Sequence, residues 1–169
     1  MPASHAANSD TFTVTTPSER EIRMTRLFDA PRHLVWEAMS RPEHVREWWG
    51  RLGDGYSVPI CEIDLRPGGR WRFVNRHPSG EAAFHGVYRE LEPPGRAVYT
   101  EIFEAFPDVE SVVTALLTEE GGKTRITVTV SYPSVEVRDM VLQTGMERGA
   151  AISYDRLEDV AVALAARER

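Results

Sequence analysis

The stretch Lys123–Ala166 reads KTRITVTVSYPSVEVRDMVLQTGMERGAAISYDRLEDVAVALAA, and the change of period inside it decides the fold. Over Lys123–Tyr132, Ile126, Val128 and Val130 alternate with Arg125, Thr127 and Thr129. One face of this strand is therefore buried and the other wet. Pro133 ends it, and Ser134 is placed to cap a helix. From there to Ala166 the pattern is helical. Val135, Leu142, Met146, Gly149, Ser153, Leu157, Val160 and Leu164 step mostly by three or four and share a face with Asp139. The spacing predicts one helix of about 30 residues, roughly 45 Å long, enough to cross a whole sheet. Gly145 and Gly149 weaken it by about 1 kcal/mol each relative to alanine.

Upstream, turn signals divide the chain into short strands. They are Arg66-Pro67-Gly68-Gly69, His77-Pro78-Ser79-Gly80, Pro93-Pro94-Gly95, Pro107-Asp108 and Glu119-Glu120-Gly121-Gly122. Strands joined by so few residues form an antiparallel meander, here of six. Glu21–Phe28 supplies a further strand, alternating up to a switch at Leu27–Phe28. Asp29-Ala30-Pro31 opens a short helix carrying Leu34, Val35, Ala38 and Met39. Pro42 opens a second, which carries Val45, Trp48 and Trp49 and stops at Gly50. The expected class is α+β: a curved seven-stranded antiparallel sheet wrapped around a long C-terminal helix, with two short helices between the first two strands. Residues 19–169 read as one domain. Residues 1–18, rich in Ala, Ser and Thr, read as a disordered tail.

Composition narrows the function. Lys and Arg number 20 against 26 Asp and Glu, a net charge of −6, which disfavours nucleic acid and anionic lipid. A single cysteine, Cys61, rules out a disulfide framework within the chain and an all-cysteine metal site. No apolar run approaches the roughly 20 residues of a membrane helix, so no membrane insertion is expected, and a cytoplasmic location is the simplest reading. The five histidines show no metal-ligand spacing within one element. No HExxH, GxSxG, Walker or GxGxxG pattern occurs. Neither metal nor cofactor is expected, and no catalytic residue is assigned.

The large aromatic residues fall where a hollow between helix and sheet would be walled. Trp48 and Trp49 end a helix. Trp71 and Phe73 share a strand face, as do Phe84, Gly86 and Tyr88, and then Tyr99, Glu101 and Phe103. Apolar pockets with a few polar groups are the usual form of a small-molecule site. The expected pocket comprises Trp48, Trp49, Trp71, Phe73, Asn75, Phe84, Tyr88, Tyr99 and Glu101, with Met146 from the long helix. Glu101, if inward, needs a partner or a raised pKa; Arg26, Asn75 and Tyr88 are candidates. His85 and Glu101 are the one pair to weigh for proton transfer, although the strand period sets them on opposite faces. Arg66, Arg70, Arg72, Arg76 and Arg89 read as a solvated outer strip paired with local glutamates.

Several segments resemble the START-like SRPBCC superfamily, whose helix-grip fold is shared with birch-pollen-allergen-like proteins. They include Arg26-Leu-Phe-Asp-Ala-Pro31 with Val35-Trp36, Pro42-Glu-His-Val45 with Trp48-Trp49-Gly50, and Asp64-Leu-Arg-Pro-Gly-Gly69. His85-Gly-Val-Tyr88 and Gly145-Met-Glu-Arg-Gly149 ahead of Asp155-Arg-Leu157 complete the pattern. Within the superfamily the chain looks most like the group named after the activator of the 90-kDa heat-shock-protein ATPase. The resemblance covers residues 20–165 and implies the same fold as the element order. It implies three kinds of function: non-enzymatic binding of a small hydrophobic or aromatic molecule between the C-terminal helix and the sheet, a polyketide cyclase or aromatase, or a chaperone-cofactor-like or homodimeric interaction module. Binding is the expectation carried forward.

Overall fold

The computed structural model describes residues 12–168. In chain order the elements are β1 (Phe12–Thr15), β2 (Glu21–Phe28), α1 (Arg32–Ser40), α2 (Pro42–Trp48), β3 (Ser57–Ile63), β4 (Arg70–His77), β5 (Gly80–Glu92), β6 (Arg96–Phe103), β7 (Glu110–Glu120), β8 (Lys123–Ser131), α3 (Val135–Gln143) and α4 (Met146–Glu168). The strands form one antiparallel sheet in the order β1-β2-β8-β7-β6-β5-β4-β3. This is the helix-grip arrangement expected from the sequence.

Three differences from the sequence reading have physical causes. The sheet has eight strands, because Phe12–Thr15, placed in the tail, pairs with β2. Phe12 and Val14 alternate with threonines there, and the Phe12 ring meets Tyr154 edge-on at 5.8 Å. Of the rest of the stretch read as a tail, residues 1–11 lie outside the described residues and 16–18 belong to the connection into β2. Second, β2 shows no switch at Leu27–Phe28. Ile22, Met24, Arg26 and Phe28 all point inward, so alternation is strict and one inward residue is an arginine.

Third, the C-terminal helix is broken. Ser134 caps α3 as expected, its Oγ accepting from the Val137 N–H at 3.2 Å, but α3 ends at Gln143. Gly145 then adopts φ +80°, a left-handed conformation that costs a glycine little and stops a helix. The remaining α4 is 23 residues long, about 35 Å at 1.5 Å per residue, which still crosses the sheet.

α4 packs on β2, where the Phe28 ring meets Tyr154 edge-on at 6.0 Å. Phe28, Ile22, Ile126 and Leu157 are fully buried there. Arg26 is buried with them and donates to Asp155 and, at 2.7 Å, to Glu158. Glu158 also accepts from the Asp29 N–H at 2.9 Å. These bonds clamp α4 to the end of β2.

Candidate functional site

The other half of the sheet is covered by α1 and α2. Trp48 joins these helices: it is buried, and its Nε1–H donates to the Ala38 carbonyl at 2.9 Å. The turn after Trp49 is held from two sides. Asn75 on β4 donates to the Gly50 carbonyl at 2.7 Å, and the Gly50 N–H donates to Ser153 Oγ on α4 at 3.2 Å. Trp49 is thereby fixed edge-on against Phe73 and Phe84, at 5.1 and 5.3 Å.

On the sheet side Trp71 crosses onto β6, where its Nε1–H donates to the Thr100 carbonyl at 3.1 Å. Gly86 on β5 lies beneath it, paired with Trp71. A Cβ on Gly86 would sit 1.8 Å from the Thr100 oxygen and 2.6 Å from the indole nitrogen. Only a glycine permits this crossing. Edge-on contacts continue from Trp71 to Tyr99 at 5.8 Å and from Tyr99 to Tyr88 at 5.9 Å.

These side chains enclose a cavity of about 100 Å³, which all four tryptophans of the chain line. Leu65, 40% exposed, borders it on the solvent side. Of the residues expected in the pocket, Trp48, Trp49, Trp71, Phe73, Tyr88, Tyr99 and Glu101 are on the wall. Asn75, Phe84 and Met146 are not. Asn75 spends its amide on Gly50, and Phe84 backs Trp49 from behind, stacked on Phe103 at 4.8 Å. Met146 packs against the core at the start of α4.

The expected location is corrected as well. No residue of α3 or α4 is on the wall; the roof is Trp36, Met39 and Ser40 of α1 together with the end of α2. Those three stand at i, i+3 and i+4, one face of a helix. Of the apolar pattern Leu34, Val35, Ala38 and Met39, Met39 reaches the roof and the other three are buried on the core side. Ala97 and Ala115 complete the floor; small residues leave room for a hollow and give no signal in a sequence.

Among the described residues Glu101 is the one charged residue on the wall. It lies on β6 opposite Ser111, whose hydroxyl donates to the Glu101 main-chain carbonyl at 3.1 Å. No described residue hydrogen-bonds its carboxylate. Arg26 is committed to Asp155 and Glu158, Asn75 to Gly50, and Tyr88 makes no bond to it. Burial pushes the Glu101 carboxyl up to about 7, with no charged neighbour shifting it. Burial first, and then the charge of Glu101, raises the hydroxyl pKa values of Tyr99, Tyr132 and Tyr154 and keeps them neutral.

His85 lies on the other face of the sheet. It meets Glu104 at 2.9 Å, and Arg72 grips the same carboxylate with two bonds of 2.9 and 3.0 Å. His85 and Glu101 therefore do not form a pair. The outer arginines are neutralised locally, Arg66 by Asp64 at 2.9 Å, Arg76 by Glu81 at 2.7 Å and Arg89 by Glu110 at 3.8 Å. Among the described residues no cluster of three or more His, Cys, Asp or Glu is arranged to hold a metal ion. Nor is any described helix long and apolar enough to cross a membrane.

The comparison with known families agrees with this architecture. The family described as Activator of Hsp90 ATPase homolog 1-like protein matches residues 29–161. The chain belongs to this family. Solved structures with the same fold include a Rhodobacter sphaeroides protein, 25% identical, covering 90% of this chain and 99% of its own, with a TM-score of 0.82. A Mycobacterium smegmatis protein is 26% identical over 88% of this chain and 96% of its own, with a TM-score of 0.78. A Nitrosomonas europaea protein, 24% identical over 85% and 94%, has a TM-score of 0.73. No curated protein matches the chain. Family and fold support a ligand-binding or cofactor-like module in general.

Proposed function

We propose that the protein binds one small apolar or aromatic molecule in the cavity between α1–α2 and β4–β7, without chemical turnover. The observation that carries this reading is the convergence of four tryptophans on one hollow whose wall is mostly apolar. Such a surface gains by excluding water, at about 25 cal/mol per Å² of apolar area covered. The volume limits the guest. An engineered apolar cavity of about 150 Å³ takes benzene, so about 100 Å³ suits a body of a few heavy atoms, with any longer tail leaving past Leu65. A cyclase would need a proton donor and acceptor in hydrogen-bond reach of one another at the cavity; His85 is on the outer face with Glu104, and neither Tyr88 nor Tyr99 hydrogen-bonds Glu101, so the geometry favours binding over turnover. A cytoplasmic setting belongs to the same reading, consistent with a lone, buried Cys61 whose thiol burial pushes up to about 11.

Because every tryptophan touches the cavity, intrinsic emission reports occupancy. Titration with isobutanol and with benzene is expected to give a saturable change, with a negative heat-capacity change of binding by calorimetry. Ala115→Leu, which fills the floor, is expected to abolish the response. No saturable response to either probe overturns the reading.

A further inference from the structure

The wall of the cavity has an asymmetry in its charged groups. Three of its donors are spent, Trp48 Nε1–H on the Ala38 carbonyl, Trp71 Nε1–H on the Thr100 carbonyl, and the Ser40 hydroxyl on the Trp36 carbonyl at 2.7 Å; the Trp36 and Trp49 indoles and the Tyr88 and Tyr99 hydroxyls make no hydrogen bond to a described residue. Among the described residues no Lys, Arg, His, Asn or Gln is on the wall. A carboxylate or phosphate entering here would find no cation and would face Glu101. The full charge the wall offers a guest is the Glu101 carboxylate, which no described residue hydrogen-bonds. The aromatic rings of Trp71, Phe73 and Tyr99 share the wall with it, linked by ring contacts of 4.9 and 5.8 Å.

Both features attract the same chemical group. A carboxylate binds an ammonium through charge-assisted hydrogen bonds, roughly twice as strong as neutral ones. Aromatic faces attract cations through their quadrupoles, by about 2 kcal/mol when desolvated. An alcohol satisfies the apolar wall and offers Glu101 only a neutral donor. A ketone offers no donor and can only accept a hydrogen bond from the acid form of Glu101. A buried carboxylate without a partner is costly, and an incoming ammonium removes that cost.

We propose that the cavity selects a small primary or secondary amine, bound as its ammonium with Glu101 as counter-ion and the aromatic wall as its cage. This assignment of ligand class rests on the reading of the cavity as a binding site. The groups facing Glu101 are Tyr99 of β6, Tyr132 beyond β8 and Tyr154 of α4, all held neutral by burial. Any proton exchanged on binding near neutral pH is therefore that of Glu101.

The test uses four probes of nearly equal size: isobutylamine, isobutanol, butanone and isobutyrate, titrated at pH 7 against tryptophan emission. The amine is expected to bind about tenfold more tightly than the alcohol, a difference of about 1.4 kcal/mol, with isobutyrate weakest. Glu101→Gln is expected to erase the preference for the amine over isobutanol. Calorimetry on the unaltered protein gives a second reading that needs no variant to fold. In two buffers of different ionisation heat, amine binding is expected to release a fraction of a proton and isobutanol none. Equal affinity for amine and alcohol or ketone, an amine preference that survives Glu101→Gln, or buffer-independent amine heats overturns the assignment while isobutanol binding preserves the cavity reading. Failure of all four probes overturns both.

Discussion

The two halves of the sheet treat a buried charge in opposite ways. In the half gripped by α4, Arg26 is 3% exposed and is met by two carboxylates, Asp155 and Glu158. In the half roofed by α1 and α2, Glu101 lies against the hollow with no hydrogen-bonding partner for its carboxylate among the described residues. The first half is solid, with Leu157 and Ile126 fully buried; the second keeps an opening of about 100 Å³. Where the core is closed, the charge of Arg26 is matched within the protein, although its Nε finds no partner. Where it is left open, the charge of Glu101 has no counterpart among the described residues. Glu104, only three residues beyond Glu101, makes the same point from outside the sheet. Arg72 above all, with His85, holds its carboxyl down at about 2, whereas burial alone lifts Glu101.

If the halves differ as described, substitutions of similar kind should have unequal effects. The largest is expected at Leu157, where truncation to alanine leaves a void in the solid half. Leu157→Ala should lose about 3 kcal/mol of unfolding free energy in urea. A loss below about 1 kcal/mol would show that α4 grips less tightly than its burial indicates.

Glu101→Gln should act through pH. An acid whose pKa is raised by folding binds its proton more strongly in the folded state. Stability therefore falls as pH rises from the ordinary value of 4.5 to about 7, and the penalty is complete above that. For this half-buried group the penalty is about 2 kcal/mol. The variant should be more stable than the unaltered protein by about that amount at pH 8 and nearly equal to it at pH 4. Urea melts at the two pH values check this; an unchanged pH profile would show that Glu101 already has a partner.

The smallest contrast compares added volume. Ala161→Leu on the fully buried face of α4 should cost about 1–2 kcal/mol by overpacking. Ala115→Leu, on the cavity floor, should change stability by less than about 1 kcal/mol because the space exists. Equal costs would mean the hollow is not available to side chains, and by extension not to guests.

Much of the solid half was legible in the sequence, because burial there follows the periods of two and about 3.6 that strands and helices impose. Ile126, Val128 and Val130 announce β8, and Ser134 announces the helix that follows. Arg26 was harder to place: an inward arginine breaks the apolar pattern, and only its two acidic partners, more than a hundred positions later, explain it. Similarly, the sequence locates Gly145 but not that it takes the left-handed conformation that divides the helix.

The hollow half was legible only in its aromatic wall. Alternation placed Trp71, Phe73, Tyr99 and Glu101 on inner faces, and adjacent Trp48 and Trp49 at a helix end marked the rim. Asn75 and Phe84 shared that inner face yet serve behind the wall, since one strand face does not say which residue reaches the hollow and which fills the layer beneath it. The family and the order of strands and helices followed from local pattern, since each element's period is written in its own residues. That the short helices rather than the long one roof the cavity, and that Glu101 finds no partner, were decided by the tertiary structure alone. Both depend on distances between segments far apart in the chain, which no local period encodes.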